Sequence, residues 1–530
     1  MSKAPTMSAP RASFDRSHGH KTTIDFDYIY PVYYDEVYPG DTFTMNPHIF
    51  ARLATPLYPI MDNMFLDIHF FWAPMRQLWD NSRKFFGEQL DPGDSIDYTI
   101  PKISAPASTG YAELSLADYF GVPTKIPDYE WNALYARLYV HAYNEWFRDQ
   151  NLIDSVTFST ADGPDTTTDL TIQKRGKRHD YFTGGLVSPQ KNVDGAIDLP
   201  LGTTAPVLGF GGADINPVGS SITMRETGKT TPTTYSSSGY WQSDSASVRM
   251  YLAEDPNNAN YPFVRADLSN ATAATILQLR QAMMVQALLE LDARAGTRYN
   301  EIVYSVFGVD MIDLTYKPEY LGGGSTPIGV NQVASSYDDG TNNTKGQLGA
   351  FGTAYLSNGG FTKSFTEHGV IIGVVSARAD LTYQQGLDRL MSRSTRFDYL
   401  YPILQNIGDQ SVLVQELYCQ DPATDTGATG TPDNQRVFAY QERYAELKYK
   451  RSQITGLFRS NATQTLDPWH LSEEFGALPS FDQTFIEQNT PVDRAIVVNT
   501  EPHLILDCYF QLHCARPMQM YSIPGLGTRF

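Results

Sequence analysis

Cysteine is scarce in this chain. Cys419, Cys508 and Cys514 are the three among 530 residues. An odd and sparse set excludes the paired framework that staples small secreted domains, and its spacing fits no zinc signature. Charged residues are also few, 19% of the chain, below the usual quarter or so. No run of about 18 apolar residues occurs, so no membrane-spanning helix is expected. Pro5 and Pro10 interrupt a polar N-terminus without the apolar stretch of a secretory signal.

Catalytic signatures are missing as well. There is no Gly-x-Ser-x-Gly and no His-Glu-x-x-His. Gly228-Lys229-Thr230 has the ending of a phosphate-binding loop, but the motif's first glycine would fall at Thr223, with no buried strand before it. Asp255-Pro256-Asn257-Asn258 lacks the closing glutamate of a calcium loop and reads as an Asx turn. His18 and His20 stand in a polar stretch and read as solvated. His368, His470 and His503 each stand near a carboxylate, with no nucleophile placed with them. No catalytic, metal or cofactor-binding residue is expected, and the chain reads as something other than an enzyme.

Aromatic residues, by contrast, make up 12% of the chain, with 33 Tyr and 27 Phe. Such residues favour strands. Ile24, Phe26, Tyr28, Tyr30 and Val32 alternate with other residues, and Pro31 among them argues for an edge or a bulge. Met64 to Trp72 forms a second strand, apolar on much of both faces, as a strand between two layers would be. Val370–Val375 is a nearly continuous apolar run. Leu504, Leu506, Cys508, Phe510, Leu512 and Cys514 alternate cleanly with Ile505, Asp507, Tyr509, Gln511 and His513, and the two cysteines read as small buried hydrophobes.

Helical spacing covers 129–148, with Asp128 as a candidate N-cap. It also covers 275–294, where apolar residues surround most of the circumference and predict burial, with Gly296 just past the end. Strands at both ends, with helices and long loops between, predict a mainly β protein, an antiparallel jelly roll of the eight-stranded kind. The organisation expected is a flexible basic arm at 1–22, a body over 23–202 and 273–530, and an insertion at 203–272. That insertion is rich in Ser, Thr, Gly, Asn and Pro, and shorter segments of similar composition lie at 334–360 and 420–434.

The formal net charge is −19, which argues against a surface that grips nucleic acid everywhere. Any such contact must be local. Lys3, Arg11, Arg16 and Lys21 of the arm are candidates. So are Arg443, Lys448, Lys450 and Arg451, followed by Arg459, with Tyr444 and Tyr449 between them for stacking on bases. Lys174, Arg175, Lys177 and Arg178 form another group. For each cluster the plainer reading is a solvated strand face or a salt bridge to a neighbouring subunit.

Several words in the chain resemble the major capsid protein of the gokushoviruses, a branch of the microviruses. They include Phe14-Asp15-Arg16-Ser17-His18-Gly19, Pro39-Gly40-Asp41-Thr42-Phe43, Ala51-Arg52-Leu53-Ala54-Thr55-Pro56 and His179-Asp180-Tyr181-Phe182-Thr183. Further on come Pro318-Glu319-Tyr320-Leu321-Gly322-Gly323, Phe365-Thr366-Glu367-His368-Gly369 and Ile523-Pro524-Gly525-Leu526. The words run in order over nearly the whole chain, and 203–272, 334–360 and 420–434 are where the match is poor. The resemblance implies a jelly-roll subunit, sixty copies of which form a T=1 shell through twofold, threefold and fivefold contacts. It implies a circular single-stranded DNA genome inside, with the arm 1–22 facing that interior, a small basic DNA-binding virion protein beside it, and a scaffolding protein during assembly in the bacterial cytoplasm. It also implies that 203–272 builds a protrusion at the threefold axis that meets a host surface receptor, with Thr230, Tyr235, Tyr240 and Trp241 as candidate contacts. The competing expectation from the residues alone is a carbohydrate-binding or glycosidase jelly roll, which would need two carboxylates across a cleft.

Overall fold

The computed structural model describes residues 10–166, 170–189, 276–309, 316–338, 345–423, 425, 427 and 432–521, and within 207–266 it describes only the backbone of short strands. The chain divides into two units, one of Met1–Pro189 with Thr297–Phe530 and the other of Gln190–Gly296.

The first unit is built on strands. Apart from a small ladder of Lys102–Ser104 with Glu130–Asn132, in chain order they are β1 (Ala12–Asp15), β2 (His18–Ile24), β3 (Tyr30–Val37), β4 (Thr42–Leu53), β5 (Met64–Pro74), β6 (Glu319–Pro327) and β7 (Gly329–Ala334). After these come β8 (Leu348–Leu356), β9 (Phe361–Ser364), β10 (Gly369–Ala379), β11 (Asp409–Leu413), β12 (Val437–Glu442) and β13 (Leu504–Arg516). A seven-stranded sheet runs β1-β13-β4-β8-β7, with β2 also on β13 and β9 also on β4. A four-stranded sheet runs β6-β5-β10-β3. The pairings in both are antiparallel. The two sheets hold seven and four strands, where eight in all were expected. The surplus comes from short strands that share a long partner, as β1 and β2 share β13.

Alternation decides which faces meet. Leu504, Leu506, Cys508, Phe510 and Leu512 of β13, with Phe43, Met45 and Ile49 of β4, form one side of the main core. Leu66, Ile68, Phe70 and Trp72 of β5, with Ile371 and Val375 of β10, form the other. The Cys508 thiol is buried there, and desolvation pushes it up to about 12. The opposite face of the four-stranded sheet packs on a second core, where Phe71, Val370, Ile372 and Val374 meet Leu134, Leu138 and Tyr139. Strands β5 and β10 therefore lie between two layers, which is why both read as apolar on both faces.

Pro31 stands where its missing N–H costs least. It lies on β3, the edge of the four-stranded sheet, and the ladder to β10 shifts register between Gly373 and Val374, beside it. A Cβ on Gly373 would sit 2.7 Å from Phe70 Cε1 and 2.9 Å from Tyr33 Cβ, so only glycine fits that approach.

Four expectations need correction. The stretch 1–22 is no free arm from Ala12 onward, because β1 and β2 pair with β13. The helix expected at 129–148 starts later, as α1 (Leu134–Ala142), continued by a π-helical turn at Tyr143–Phe147. Asp128 takes φ 54° outside it, and the Asn132 carboxamide instead accepts from the Leu134 N–H at 2.9 Å. A third of 334–360 is strand β8, whose inward positions include the small residues Ala350, Gly352 and Ala354, and composition hid the alternation. Finally, α2 (Ile276–Ala295) forms as read and ends at Gly296 with φ 111°, but Leu277, Met283 and Met284 are exposed rather than buried.

The separate unit is wider than 203–272, since it takes in α2. Its described strands include Ile222–Met224 paired with Thr233–Tyr235, and Trp241–Gln242 paired with Arg249–Leu252.

Candidate nucleic-acid interface

The basic clusters are spent inside the chain. In the N-terminal stretch, Arg11 donates to the Gly40 carbonyl at 2.7 Å and to Thr42 Oγ1 at 3.0 Å. Arg16 reaches Asp35 on β3 with Nη1 at 2.5 Å and Nη2 at 3.1 Å. Burial works against this cation, but the Asp35 carboxylate outweighs it and holds the guanidinium above its ordinary value. Lys21 faces Asp507 at 3.3 Å with both side chains well exposed, a pair worth little. Lys3 lies outside the described residues.

The group 174–178 staples an extended segment onto the sheets. Arg175 and Arg378 both hold Asp67 of β5, each at 2.8 Å, and the Ser325 hydroxyl donates to it at 2.6 Å. Desolvation raises the Asp67 carboxyl, but the two guanidiniums and the hydroxyl bring it below its ordinary value. Lys177 pairs with Glu473 at 2.7 Å and lies 4.1 Å from the Phe485 ring centroid. Lys174 lies over the Tyr28 ring at 5.5 Å, and Arg178 meets Asp380 at 3.3 Å.

The group around Arg451 closes a third apolar cluster, formed by Tyr181, Phe182, Val412, Leu417, Phe438 and Phe485. Arg451 donates to the Glu416 carbonyl at 2.9 Å, with Asp388 at 3.7 Å. Arg443 donates to the Phe397 carbonyl at 2.9 Å and stacks on Tyr444 at 5.0 Å. Lys448 pairs with Glu442, and Arg459 donates to the Gln384 carbonyl at 3.0 Å. Lys450 is exposed and, among the described residues, has no carboxylate or ring against it. A cavity of about 390 Å³ borders this cluster, but Asp180, Asp388 and Glu416 line it beside Lys450 and Arg451. Carboxylates at such a wall repel phosphate. Apart from Lys450, the described cations of these clusters meet carboxylates, carbonyls or rings of the same chain.

The histidines also hold structure. His503 Nε2 lies 3.0 Å from Asp493 while its Nδ1 accepts from the Phe26 N–H at 3.2 Å. His470 Nε2 lies 2.6 Å from the Phe458 carbonyl, and His368 stacks on Phe86 at 3.8 Å. Among the described residues, no group of three His, Cys, Asp or Glu is placed to hold a metal ion. Of the candidate receptor contacts, Tyr235 and Trp241 fall on the paired strands given above, and Thr230 and Tyr240 lie outside the described residues.

Sequence reasoning missed a surface of a different kind. Helix α3 (Tyr299–Phe307) has no buried residue, and its Tyr299, Tyr304 and Phe307 are exposed. Over 390–407 the chain leaves Met391 76%, Ile403 88% and Ile407 70% exposed, with Phe397, Tyr399 and Leu400 also open. Apolar surface of this extent marks a site of association. The signal was present in the run Tyr399-Leu400-Tyr401-Pro402-Ile403-Leu404, which has neither strand nor helix periodicity.

Comparison with known proteins agrees over the whole length. The profile of a family described as capsid protein (F protein) matches residues 2–526. Capsid protein VP1 of Bdellovibrio phage phiMH2K is 44% identical, covering 99% of this chain and 97% of that protein. Capsid protein VP1 of Chlamydia phage 1 is 39% identical over 99% of this chain and 97% of its own length. Capsid protein VP1 of Spiroplasma virus 4 is 33% identical, with 96% and 94% covered.

Proposed function

The chain belongs to the phage capsid protein (F protein) family, as a major capsid protein of the gokushovirus type, and from that premise we propose that sixty copies close into a T=1 icosahedral shell around a circular single-stranded DNA genome. Members of this family are structural proteins of the virion, so the chain acts by assembly rather than by catalysis. The observation that carries the proposal is the apolar surface at 390–407 and on α3, which the chain leaves uncovered. A shell subunit must bury several separate surfaces against copies of itself, because closed symmetry presents each copy with neighbours on several sides. Interfaces of this kind are enriched in aromatic residues and Met, the residue types found here.

Among the described residues, few cations of this acidic chain stand without a carboxylate, carbonyl or ring against them. A small basic virion protein would supply the remaining neutralisation of phosphate, and a scaffolding protein would order the subunits during assembly in the bacterial cytoplasm. The unit Gln190–Gly296, compact in its own right, serves as the outward protrusion that meets a host receptor. Sedimentation of Ile403→Asp and Phe307→Asp variants tests the assembly reading. Both variants are expected to stay folded and to lose the shell-sized species, and shells formed in normal yield by both would reject it.

A further inference from the structure

Helix α2 (Ile276–Ala295) carries an apolar stripe that stands exposed. Ala282, Gln286, Leu289 and Ala293 recur at steps of 4, 3 and 4 and are half-buried, so they mark the side on which the helix rests. On the opposite side Leu277, Gln281, Met284, Leu288, Leu291 and Ala295 follow one another at steps of 4, 3, 4, 3 and 4. That is the period with which helices interlock their side chains with other helices. Leu277 is 64% and Met284 72% exposed, and Leu288 and Leu291 are open as well. The stripe is wider than the seam of a helix pair, because Val285 and Ala287 flank it, one on each side, and both are exposed.

We propose that α2 packs against the same helix of two other copies, in parallel and in register, around a threefold axis. The proposal rests on the reading that the chain assembles with copies of itself, and it names one contact of that assembly. Charge selects the occupant. Arg280 and Arg294 balance Glu290 and Asp292, so α2 is neutral within a chain of net charge −19. Acidic copies meet there with the least repulsion. A membrane surface is met instead by a polar face rich in Lys and Arg. The side chains also choose the direction. In parallel packing each layer meets its own kind, so Leu288 faces Leu288. The Gln281 amides then bond one another, since an amide both donates and accepts. Arg280 flanks Val285 of the next copy and Asp292 flanks Ala287, so no like charges meet. Antiparallel packing over the full helix would set Gln281 against Leu291 and Arg280 beside Arg294, twice over. A polar layer in such a seam fixes the register. Three copies rather than two enclose Val285 and Ala287 with the stripe, and closed symmetry leaves no copy with an open end. The burial that the period of α2 predicts is thereby supplied by its neighbours.

The test uses the full-length chain, expressed with the phage's other structural proteins, in which Cys419→Ser removes the exposed thiol and the two buried ones remain. Single cysteines are placed in the stripe as Met284→Cys, Leu288→Cys or Leu291→Cys, and beside it as Met283→Cys. Mild oxidation and non-reducing electrophoresis should give a two-copy band from each stripe variant, with the third copy of each cluster left single. A three-armed maleimide should convert the same variants to a three-copy band. Met283 is exposed but stands about 100° round the helix from Met284, so Met283→Cys should stay single. Particles in which the stripe variants remain unlinked would overturn the proposal. So would linkage that appears only when Met284→Cys and Leu288→Cys chains are mixed, the pattern of antiparallel helices. Two-copy bands without three-copy bands would also overturn it, as would Met283→Cys linking as readily as Met284→Cys. Three-copy bands from chains that form no closed particle would uphold the contact and reject the shell reading instead.

Discussion

Arg16 and Asp35 join the two sheets of the body. Arg16 lies between β1 and β2 on the seven-stranded sheet, and its Nη1 and Nη2 meet the carboxylate of Asp35, on β3 of the other sheet, at 2.5 and 3.1 Å. The Tyr33 hydroxyl donates to the same carboxylate at 3.1 Å. A cation from a basic N-terminal stretch is thereby used as a clamp across the sandwich.

Arg16→Ala is accordingly expected to act on stability. It leaves the largely buried Asp35 short of its charged partner, at a cost of about 1–3 kcal/mol. The midpoint of thermal unfolding should fall, and the DNA held per surviving particle should not. A variant that melts like the parent but packages less DNA would return Arg16 to the role of a genome contact.

Arg137 on α1 is a deeply enclosed cation. Its side chain is 1% exposed, it holds Asp165 with two bonds of 2.7 Å, and it donates to the carbonyls of Leu78 and Ala161 at 2.8 Å. Asp165→Ala should cost about 3–5 kcal/mol, because it strands a buried charge. The double variant Arg137→Met, Asp165→Ala should recover part of that loss. Denaturant unfolding measures both, and equal destabilisation by the single and the double change would contradict the assignment.

Two histidines predict a response to acid. Burial holds the imidazoles of His69 and His141 down to about 4, against about 6.5 in an unfolded chain. The unfolded state then binds more protons between those values, so stability is fully present above about 6.5 and is lost as pH falls toward 4. At pH 5 each site should cost about 2 kcal/mol relative to pH 7.5. The His141 ring packs tilted against that of Phe158 at 5.3 Å between centroids, so His141→Phe should be accommodated and should remove about half of that pH dependence. Urea midpoints at the two pH values decide it, and an unchanged slope would refute the account of His141.

Alternation made much of this fold legible. β13 could be read because a sheet buries every second residue, and Leu504–Cys514 carries that period in large side chains, while β5 could be read because Met64–Trp72 is apolar on both faces. β8 was not readable, because Ala350, Gly352 and Ala354 carry the same period in small ones. The basic clusters were visible, but their partners were not. Arg175 and Arg378 meet at Asp67 from 108 and 311 residues away, and no local pattern encodes that. On the uncovered side of the seven-stranded sheet, Tyr509 occupies an outward phase of β13 that the sequence shows, yet Phe50, His48 and Tyr355 join it only through strand register.

The unit Gln190–Gly296 offers a separable prediction. Exchange of 203–272 for the corresponding segment of a relative should change adsorption to host cells and leave shell formation intact. Particle yield by sedimentation and adsorption rate to cells report the two effects independently. Unchanged adsorption would remove the attachment role from this segment.

Electron cryomicroscopy of particles formed by the full-length chain, expressed with the phage's other structural proteins, tests assembly most directly. The account predicts closed icosahedral shells of sixty copies in which residues 390–407 are covered by a neighbouring copy. A chain that remains a monomer, or shells in which 390–407 stays open to solvent, would contradict it.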